Sequence, residues 1–344
     1  MTKKYDTLVL IGRFQPVHNA HVQIIQRAKT LANKLIIIVG SADQPRTFKN
    51  PWTADERMEM LFKAYHGLLD ANFSIALAKN TDTLYNDQAW AVRVQTIVAE
   101  NTNPGDKIGV IGHKKDMTSH YLDMFPQWGL EEVELLEPLN ATNIRDLFFR
   151  KDNNLHFIGN VIPLSTYEFL KHYQKNMDVC FSRIIEEREF IAQYRKQFES
   201  LPYPPIFVTT DAVTICSGHV LMIRRRAWPG AGLWALPGGF VNAETDRSIQ
   251  DAAIRELREE TGIKVPAPVL IGSIEDSKVF DAIGRSTRGR TITHAFKIVL
   301  PDGELPKVKG SDDADKARWI PIASVKSVDC YEDHYEILQH FVGA

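Results

Sequence analysis

Thr7-Leu-Val-Leu-Ile-Gly-Arg-Phe-Gln-Pro-Val-His-Asn-Ala-His21 decides the reading of the first half of the chain. Thr7 to Ile11 is a short apolar run closed by Gly12, the pattern of a buried strand. From His21 to Lys34, Ile24, Ile25, Ala28 and Leu31 recur at helical spacing, and Leu35 to Val39 is a second apolar run closed by Gly40. Strand, loop, helix and strand in that order form a βαβ unit, which implies a parallel sheet with right-handed crossovers. The alternation continues outward. Strands are expected at Phe73–Ala78, Lys107–Ile111 and Val133–Leu136, and helices at Asn86–Glu100 and Thr142–Arg150. This half is expected to be α/β with helices on both faces of the sheet.

The chain has 344 residues, which suggests two domains rather than one core. Residues 178–199 are charged, helix-prone and free of glycine and proline, and Leu201-Pro-Tyr-Pro-Pro205 then breaks any helix. The expected division is therefore 1–177, a connecting helix and linker over 178–205, and a second domain over 206–344. In the second domain Ile206–Cys216 and Val220–Ile223 suggest a hairpin turning at Ser217-Gly218. Later strands alternate with loops, around one amphipathic helix near Ser248–Thr261, so this half is α+β and no repeat of the first. The formal net charge of -2 leaves no basic footprint for nucleic acid. No apolar run approaches the ~20 residues that span a bilayer, and the N-terminal residues lack the apolar core of a secretory leader. Cys180, Cys216 and Cys330 are widely spaced and form no C-x-x-C, which argues against disulfides and a zinc ribbon. A cytoplasmic protein without a membrane or nucleic-acid partner is expected, its oligomeric state open, homo-oligomers included.

The loop Gly12–His21 has chemical content. It leaves a strand with its amides exposed and enters a helix near His21, and a helix N-terminus is an anion site. His18 and His21 can donate hydrogen bonds to phosphate oxygens there, and Arg13 can add a bidentate clamp. The pattern is neither a P-loop nor G-x-G-x-x-G. It resembles the nucleotidylyltransferases marked by H-x-G-H, and specifically the nicotinamide mononucleotide (NMN) adenylyltransferases of the archaeal type. Gly12-Arg13-Phe14-Gln15-Pro16 with His18 and His21 carries the first motif, and Asn50-Pro51-Trp52-Thr53 with Glu56-Arg57 the second. Trp90 and Val94 stand where such enzymes stack a tryptophan on the nicotinamide ring, and Thr142-Asn143-Ile144-Arg145 matches S-T-x-I-R. Ala20 replaces the motif's glycine, and Ala141 the serine before its threonine.

The resemblance implies a Rossmann-like domain that transfers AMP from ATP to NMN, giving NAD and pyrophosphate. It assigns the triphosphate to His18, His21, Arg13 and Arg145, with Gly12, Phe14, Arg57, Trp90 and Thr142 lining the substrates. His113-Lys114-Lys115-Asp116, after another strand, receives no role.

In the second domain Glu256, Glu259 and Glu260 are spaced i, i+3, i+4, so all three share one helical face. Like charges repel there, and hard divalent cations, Mg²⁺ or Mn²⁺, take such carboxylates together with phosphate oxygens. Arg255-Glu-Leu-Arg-Glu-Glu-Thr-Gly-Ile263 resembles the second half of the Nudix box, and Leu236-Pro-Gly-Gly-Phe240 its lead-in, where the Gly238 carbonyl also faces metal. The box's earlier glutamate is missing: Arg247 stands eight residues before Arg255, and Glu244 is the nearest candidate. Asp281 to His294 resembles a segment of ADP-ribose-cleaving Nudix domains, with Arg285, Arg288 and Arg290 placed to hold phosphates.

The whole chain thus resembles the bifunctional NMN adenylyltransferase/Nudix hydrolase family, a Rossmann-like domain followed by an α+β Nudix sandwich. The implied second reaction is metal-assisted hydrolysis of ADP-ribose to AMP and ribose 5-phosphate. Two rivals stay open: transfer to another mononucleotide, and a Nudix domain acting as a nucleotide sensor. Against a DNA-reading sensor, only a short tail, about 331–344, follows the last expected strand.

Overall fold

The computed structural model describes residues 3–114, 117–134, 140–152, 155–310 and 314–343. It divides into two compact units, Met1–Arg188 and Glu189–Ala344.

The first unit runs β1 (Tyr5–Gly12), α1 (Asn19–Leu31), β2 (Ala32–Val39), α2 (Ala54–Tyr65), β3 (Ser74–Lys79), α3 (Asp87–Glu100), β4 (Ile108–Gly112), β5 (Gly129–Glu132), α4 (Ala141–Phe148), α5 (Leu164–Asn176) and α6 (Asp178–Lys196), within which the division falls. The strands lie in the order β3-β2-β1-β4-β5, all parallel, a Rossmann-like arrangement. Alternate residues of β1 and β2 face opposite sides. Leu8, Leu10, Leu35, Ile37 and Val39 bury against α1, α2 and α5, whereas Val9, Ile11, Ile36 and Ile38 bury against Val94 and Val98 of α3. Helices on both faces make these strands apolar throughout, which is why they read so clearly.

One strand differs from expectation. The fifth strand is Gly129–Glu132 rather than Val133–Leu136, of which Leu135 and Leu136 lie outside the described residues. Edge strand β5 needs no apolar run. It needs Gly129, where an added Cβ would sit 2.7 Å from Cε1 of the Tyr5 ring.

The second unit contains β6 (Ile206–Cys216), β7 (His219–Arg225), β8 (Trp234–Ala235), β9 (Gly238–Phe240), α7 (Ile249–Thr261), α8 (Ala267–Gly272), β10 (Ile274–Phe280), β11 (Arg290–Val299), β12 (Ala314–Pro321) and α9 (His334–Val342). Its mixed sheet has the order β10-β11-β6-β7-β12, with β8 on β7 and β9 on β6, and only β11 and β6 are parallel. The β6–β7 turn uses Ser217 at φ 45 and Gly218 at φ 70, the double left-handed geometry of a tight hairpin. Helix α7, capped by Ser248 and ended by Gly262 at φ 55, packs Ala253, Ile254 and Leu257 onto Ala212, Leu221, Phe296 and Ile298. The other sheet face carries Asp211, Thr293 and Phe280, and there Phe341 of α9 meets Phe280 with ring centroids 6.0 Å apart. The tail after the last strand is therefore helical and sits on the sheet.

Candidate active sites

In a parallel sheet with β1 between β2 and β4, the loops after these strands gather at one edge, the switch point where open α/β sheets take ligands. Here the loop Gly12–His18 is held from both ends. Gln15 donates from Nε2 to the Trp52 carbonyl (3.0 Å) and accepts from the Trp52 N–H (3.2 Å). Phe14, at φ 52 and 1% exposed, turns its ring under Gly12, where a Cβ would lie 2.9 Å from Phe14 Cζ. Gly12 and the Phe14 ring are thus packed closely together, with Phe14 buried in the core of the first unit.

His18 is the N-cap residue of α1 and His21 closes its first turn. The His18 backbone N–H donates to His21 Nδ1 (3.1 Å), and the two rings stack 3.7 Å apart. An accepting Nδ1 leaves the proton of the neutral ring on Nε2. Burial, and then the neighbouring His18, holds the His21 pKa well below 6.5, so the ring is a neutral donor at neutral pH. The linkage has a definite sign. The unfolded chain takes up this proton near pH 6.5 and the folded chain does not. We expect first-domain stability to be flat above pH 6.5 and to fall as pH drops below it. Thermal melts between pH 7.5 and 5 check this, with His21→Gln flattening the slope.

Three arginines belong to or tie down the loop that leads to the histidines, with different partners. Arg13 donates from Nη2 to the Lys49 carbonyl (2.8 Å) and Asn50 Oδ1 (2.6 Å), and its Nε has no partner among the described residues. Burial lowers its pKa, against the pull of Asp82. Arg145, 5% exposed on α4, donates to the Gln15 carbonyl (2.6 Å) and Thr142 Oγ1 (3.1 Å), and its buried Nε is likewise unmatched. Burial and then the Arg13 charge push its pKa down to about 9. Two desolvated guanidiniums that repel each other, each with an unused N–H, form an anion-seeking site.

Arg57 is turned toward the backbone. It is 1% exposed and donates to four backbone carbonyls: Thr53 (3.1 Å), Arg13 (2.6 Å), Gly40 (2.6 Å) and Ser41 (2.9 Å). Its guanidinium bolts the loops after β1 and β2 together. Arg57→Leu should strand several buried carbonyls and cost about 3 kcal/mol or more in denaturant unfolding. Trp90 is half-buried on α3, its ring 6.2 Å from Tyr121 and 6.0 Å from Phe125. Thr142 is exposed at the start of α4. His113 Nδ1 lies 3.0 Å from the Val133 carbonyl, and Lys115 and Asp116 fall outside the described residues. One site group had no sequence signal beyond its place after β3: Asp82, which accepts from the Ser41 N–H (3.0 Å) and hydroxyl.

In the second unit the glutamates lie on the flank of α7 beside its core stripe, with Glu260 adjoining Ala253 and Leu257 on the helix surface. Glu260, 7% exposed, accepts from the Gly238 N–H (2.9 Å), and burial pushes its pKa up to about 8. Glu256 lies against Gly239, where a Cβ would stand 2.5 Å from its Oε1, and burial raises its pKa too. Arg255 donates to Glu256 Oε1 (2.8 Å) and Glu259 Oε2 (2.9 Å). Among the described residues no three His, Cys, Asp or Glu side chains already form a metal cluster. The contact found at Gly238 is from its N–H, not its carbonyl.

Of the carboxylates before α7, Asp246 and not the exposed Glu244 meets Arg255. Asp246, nearly buried, grips Arg255 with both oxygens (2.8 Å each), and Arg255 holds its pKa below the ordinary carboxylate value. Asn242 shapes the turn, accepting from the Glu244 and Thr245 amides (3.0 and 3.3 Å), which leaves Glu244 in solvent and swings Asp246 inward. Arg247 instead pairs with Asp251 (2.9 Å).

The three arginines of 285–290 separate. Arg285, 5% exposed, is held in a bidentate pair with Asp333 (2.8 Å twice). Arg290 donates to the Asp281 carbonyl (2.6 Å) and closes its own loop. Arg288 lies over the Phe240 ring, 4.8 Å from its centroid, and its Nε has no partner among the described residues.

The Cytidylyltransferase-like family model matches residues 9–210, and the NUDIX domain model residues 206–341. A bifunctional NMN adenylyltransferase/ADP-ribose pyrophosphatase from Francisella tularensis, solved with AMP and a Mn ion, is 31% identical, with a TM-score of 0.87 over 98% of each chain. The chain belongs to this bifunctional family. Its first half is 38% identical to the nicotinamide/nicotinic acid mononucleotide adenylyltransferase of Acinetobacter baylyi, over 50% of this chain and 88% of that protein. The ADP-ribose pyrophosphatase of Methanocaldococcus jannaschii is 29% identical over 51% of this chain and 87% of its own length. Against the bifunctional family's motifs, Ala20 is 3% exposed in the first turn of α1, where its methyl group packs inward. Beside Ala141, Asn140 supplies the cap of α4 by accepting from the Thr142 N–H (2.8 Å). No helix among the described residues is long and apolar enough to cross a membrane.

Proposed function

We propose that the first domain transfers AMP from ATP to NMN, releasing NAD and pyrophosphate, and that the second hydrolyses ADP-ribose to AMP and ribose 5-phosphate. The observation that carries the first reaction is the pair of mutually repelling guanidiniums, Arg13 and Arg145, held on the loop that runs from β1 to His18 and His21 at the start of α1, at the β1/β4 switch point. A phosphate oxygen of NMN attacks the α-phosphorus of ATP in line, and pyrophosphate leaves. The second pKa of such a phosphate is about 6, so the nucleophile is already deprotonated and needs no general base. Neutral His21 donates from Nε2, Arg145 and Arg13 neutralise phosphate oxygens, and catalysis is positioning plus charge stabilisation. Trp90, Thr142 and the Gly12 backbone line the mononucleotide and ATP in this reading. Transfer of NMN with ATP into NAD, followed by chromatography, tests it.

For the second reaction the donor set fits a hard divalent cation. Glu256, Glu259 and Glu260 offer only oxygens, and burial makes Glu260 reluctant to ionise without a nearby positive charge. These carboxylates and the Gly238 backbone would hold Mg²⁺, with Mn²⁺ an alternative. At such a site these residues would hold a cation that would lower the pKa of a water and offset the charge of the pyrophosphate. Arg255 orients Glu256 and Glu259, and Asp246 orients Arg255. Arg288 is free to reach a ligand phosphate. Asp246→Ala should therefore lower ADP-ribose hydrolysis about 10- to 100-fold, whereas Glu244→Ala stays within ~2-fold of wild type. Release of AMP is the readout.

A further inference from the structure

Four consecutive residues, Tyr331 to His334, touch both loops that flank the α7 glutamates, and nothing in the two reactions yet uses them. The Tyr331 N–H donates to the Trp234 carbonyl (2.8 Å). Glu332 accepts from the Thr287 N–H (2.8 Å) and hydroxyl (3.2 Å). Asp333, 1% exposed, holds Arg285 through two 2.8 Å hydrogen bonds. His334, 7% exposed, accepts at Nδ1 from the Leu236 N–H (3.0 Å), two residues before the Gly238 N–H that bonds Glu260. An accepting Nδ1 means a neutral ring, so its 3.8 Å approach to Asp211 is no ion pair. Glu332 adopts φ 43, a left-handed conformation disfavoured outside glycine and kept only where surrounding bonds over-determine it.

We propose that Asp333 and His334 are positioning residues of the hydrolase site with separable duties: His334 fixes the Leu236–Gly239 backbone against the metal-binding glutamates, and Asp333 fixes the Arg285–Arg290 loop against the nucleotide. The proposal rests on the hydrolase reading given above. The Leu236 N–H is tied to His334, the ring of Pro237 fixes one of the dihedrals that follow, and the Gly238 N–H is then presented to Glu260. A Cβ at Gly238 would lie 2.1 Å from the Thr210 carbonyl, so the strap has no slack to find another path. Likewise Arg285 in its buried pair and Thr287 on Glu332 leave Arg288, between Thr287 and Gly289, in a fixed position over Phe240.

The test uses the full chain and two equilibrium readouts: Mn²⁺ binding by electron paramagnetic resonance without nucleotide, and ADP-ribose binding by calorimetry in metal-free buffer, where no hydrolysis runs. Glu260→Gln defines the Mn²⁺ signal belonging to this site. His334→Leu should weaken Mn²⁺ binding about 10-fold or more and leave ADP-ribose affinity within ~2-fold, and Asp333→Asn should do the reverse. His334→Asn, which keeps an acceptor near the Nδ1 position, should restore Mn²⁺ binding, an outcome that misfolding cannot produce. Equal loss of both affinities in both variants, or no loss in either, overturns the assignment. A wild-type protein that binds Mn²⁺ and ADP-ribose yet releases no AMP would remove the hydrolase reading and leave these affinity shifts to be judged as stated.

Discussion

Glu260→Gln should release AMP from ADP-ribose at no more than about a thousandth of the wild-type rate, while NAD formation from ATP and NMN continues unchanged. The glutamine keeps the shape of the side chain and an oxygen for the Gly238 N–H, so the packing of α7 survives. What disappears is a negative charge in a site that is buried, where Coulombic terms are least screened. Losing a metal carboxylate forfeits several kcal/mol of transition-state stabilisation, and about 4 kcal/mol is a factor of ~10³. The unchanged NAD synthesis is equally part of the result. No residue proposed for adenylyl transfer lies beyond Arg145, and α7 belongs to the other compact unit. A variant that retains a tenth of its hydrolysis would show that the charge of Glu260 is not central.

The second large effect falls on NAD synthesis. His21→Ala should lower kcat for NAD formation about 10²- to 10³-fold, the usual loss when one preorganised donor to a developing charge is removed. The residue does two things at once, because its Nδ1 also accepts from the His18 N–H at the start of α1. His21→Asn separates them. Asparagine can accept near the Nδ1 position but does not place an N–H where Nε2 stood, so it should recover much of the stability and little of the rate. Recovery of both would make His21 a cap and not a donor. Steady-state rates beside thermal melts give the answer.

How much of this was legible in the sequence depended on what each residue answers to. The central strands β1 and β2 are buried on two faces, so they must be apolar throughout, and they read clearly. Edge strand β5 answers to Tyr5 and a glycine, and its reading slipped by several residues. Helix α2 carried a signal that was not used: Thr53-x-x-Glu56 is a reciprocal capping box, with bonds of 3.3 and 2.8 Å. His18, His21 and Arg13 stand out in the sequence because a helix terminus and charge leave marks there, and Arg145 stands out through its resemblance to S-T-x-I-R. The duties of the arginines do not. Arg57 and Arg285 look like ligand clamps on paper, and sequence alone does not contain their buried partners Gly40, Ser41 and Asp333. Asp246 was missed because a turn closed by Asn242 decides which of two nearby carboxylates swings inward, and spacing alone does not contain that turn.

The account stands or falls on one chain running both reactions. Purified protein given ATP, NMN, ADP-ribose and Mg²⁺ in a single vessel, with products separated by anion-exchange chromatography, tests this most directly. The account predicts that NAD and pyrophosphate accumulate while ADP-ribose is replaced by AMP and ribose 5-phosphate, and that EDTA stops the second conversion. NAD without AMP release would contradict the hydrolase half, and AMP release without NAD would contradict the adenylyl-transfer half.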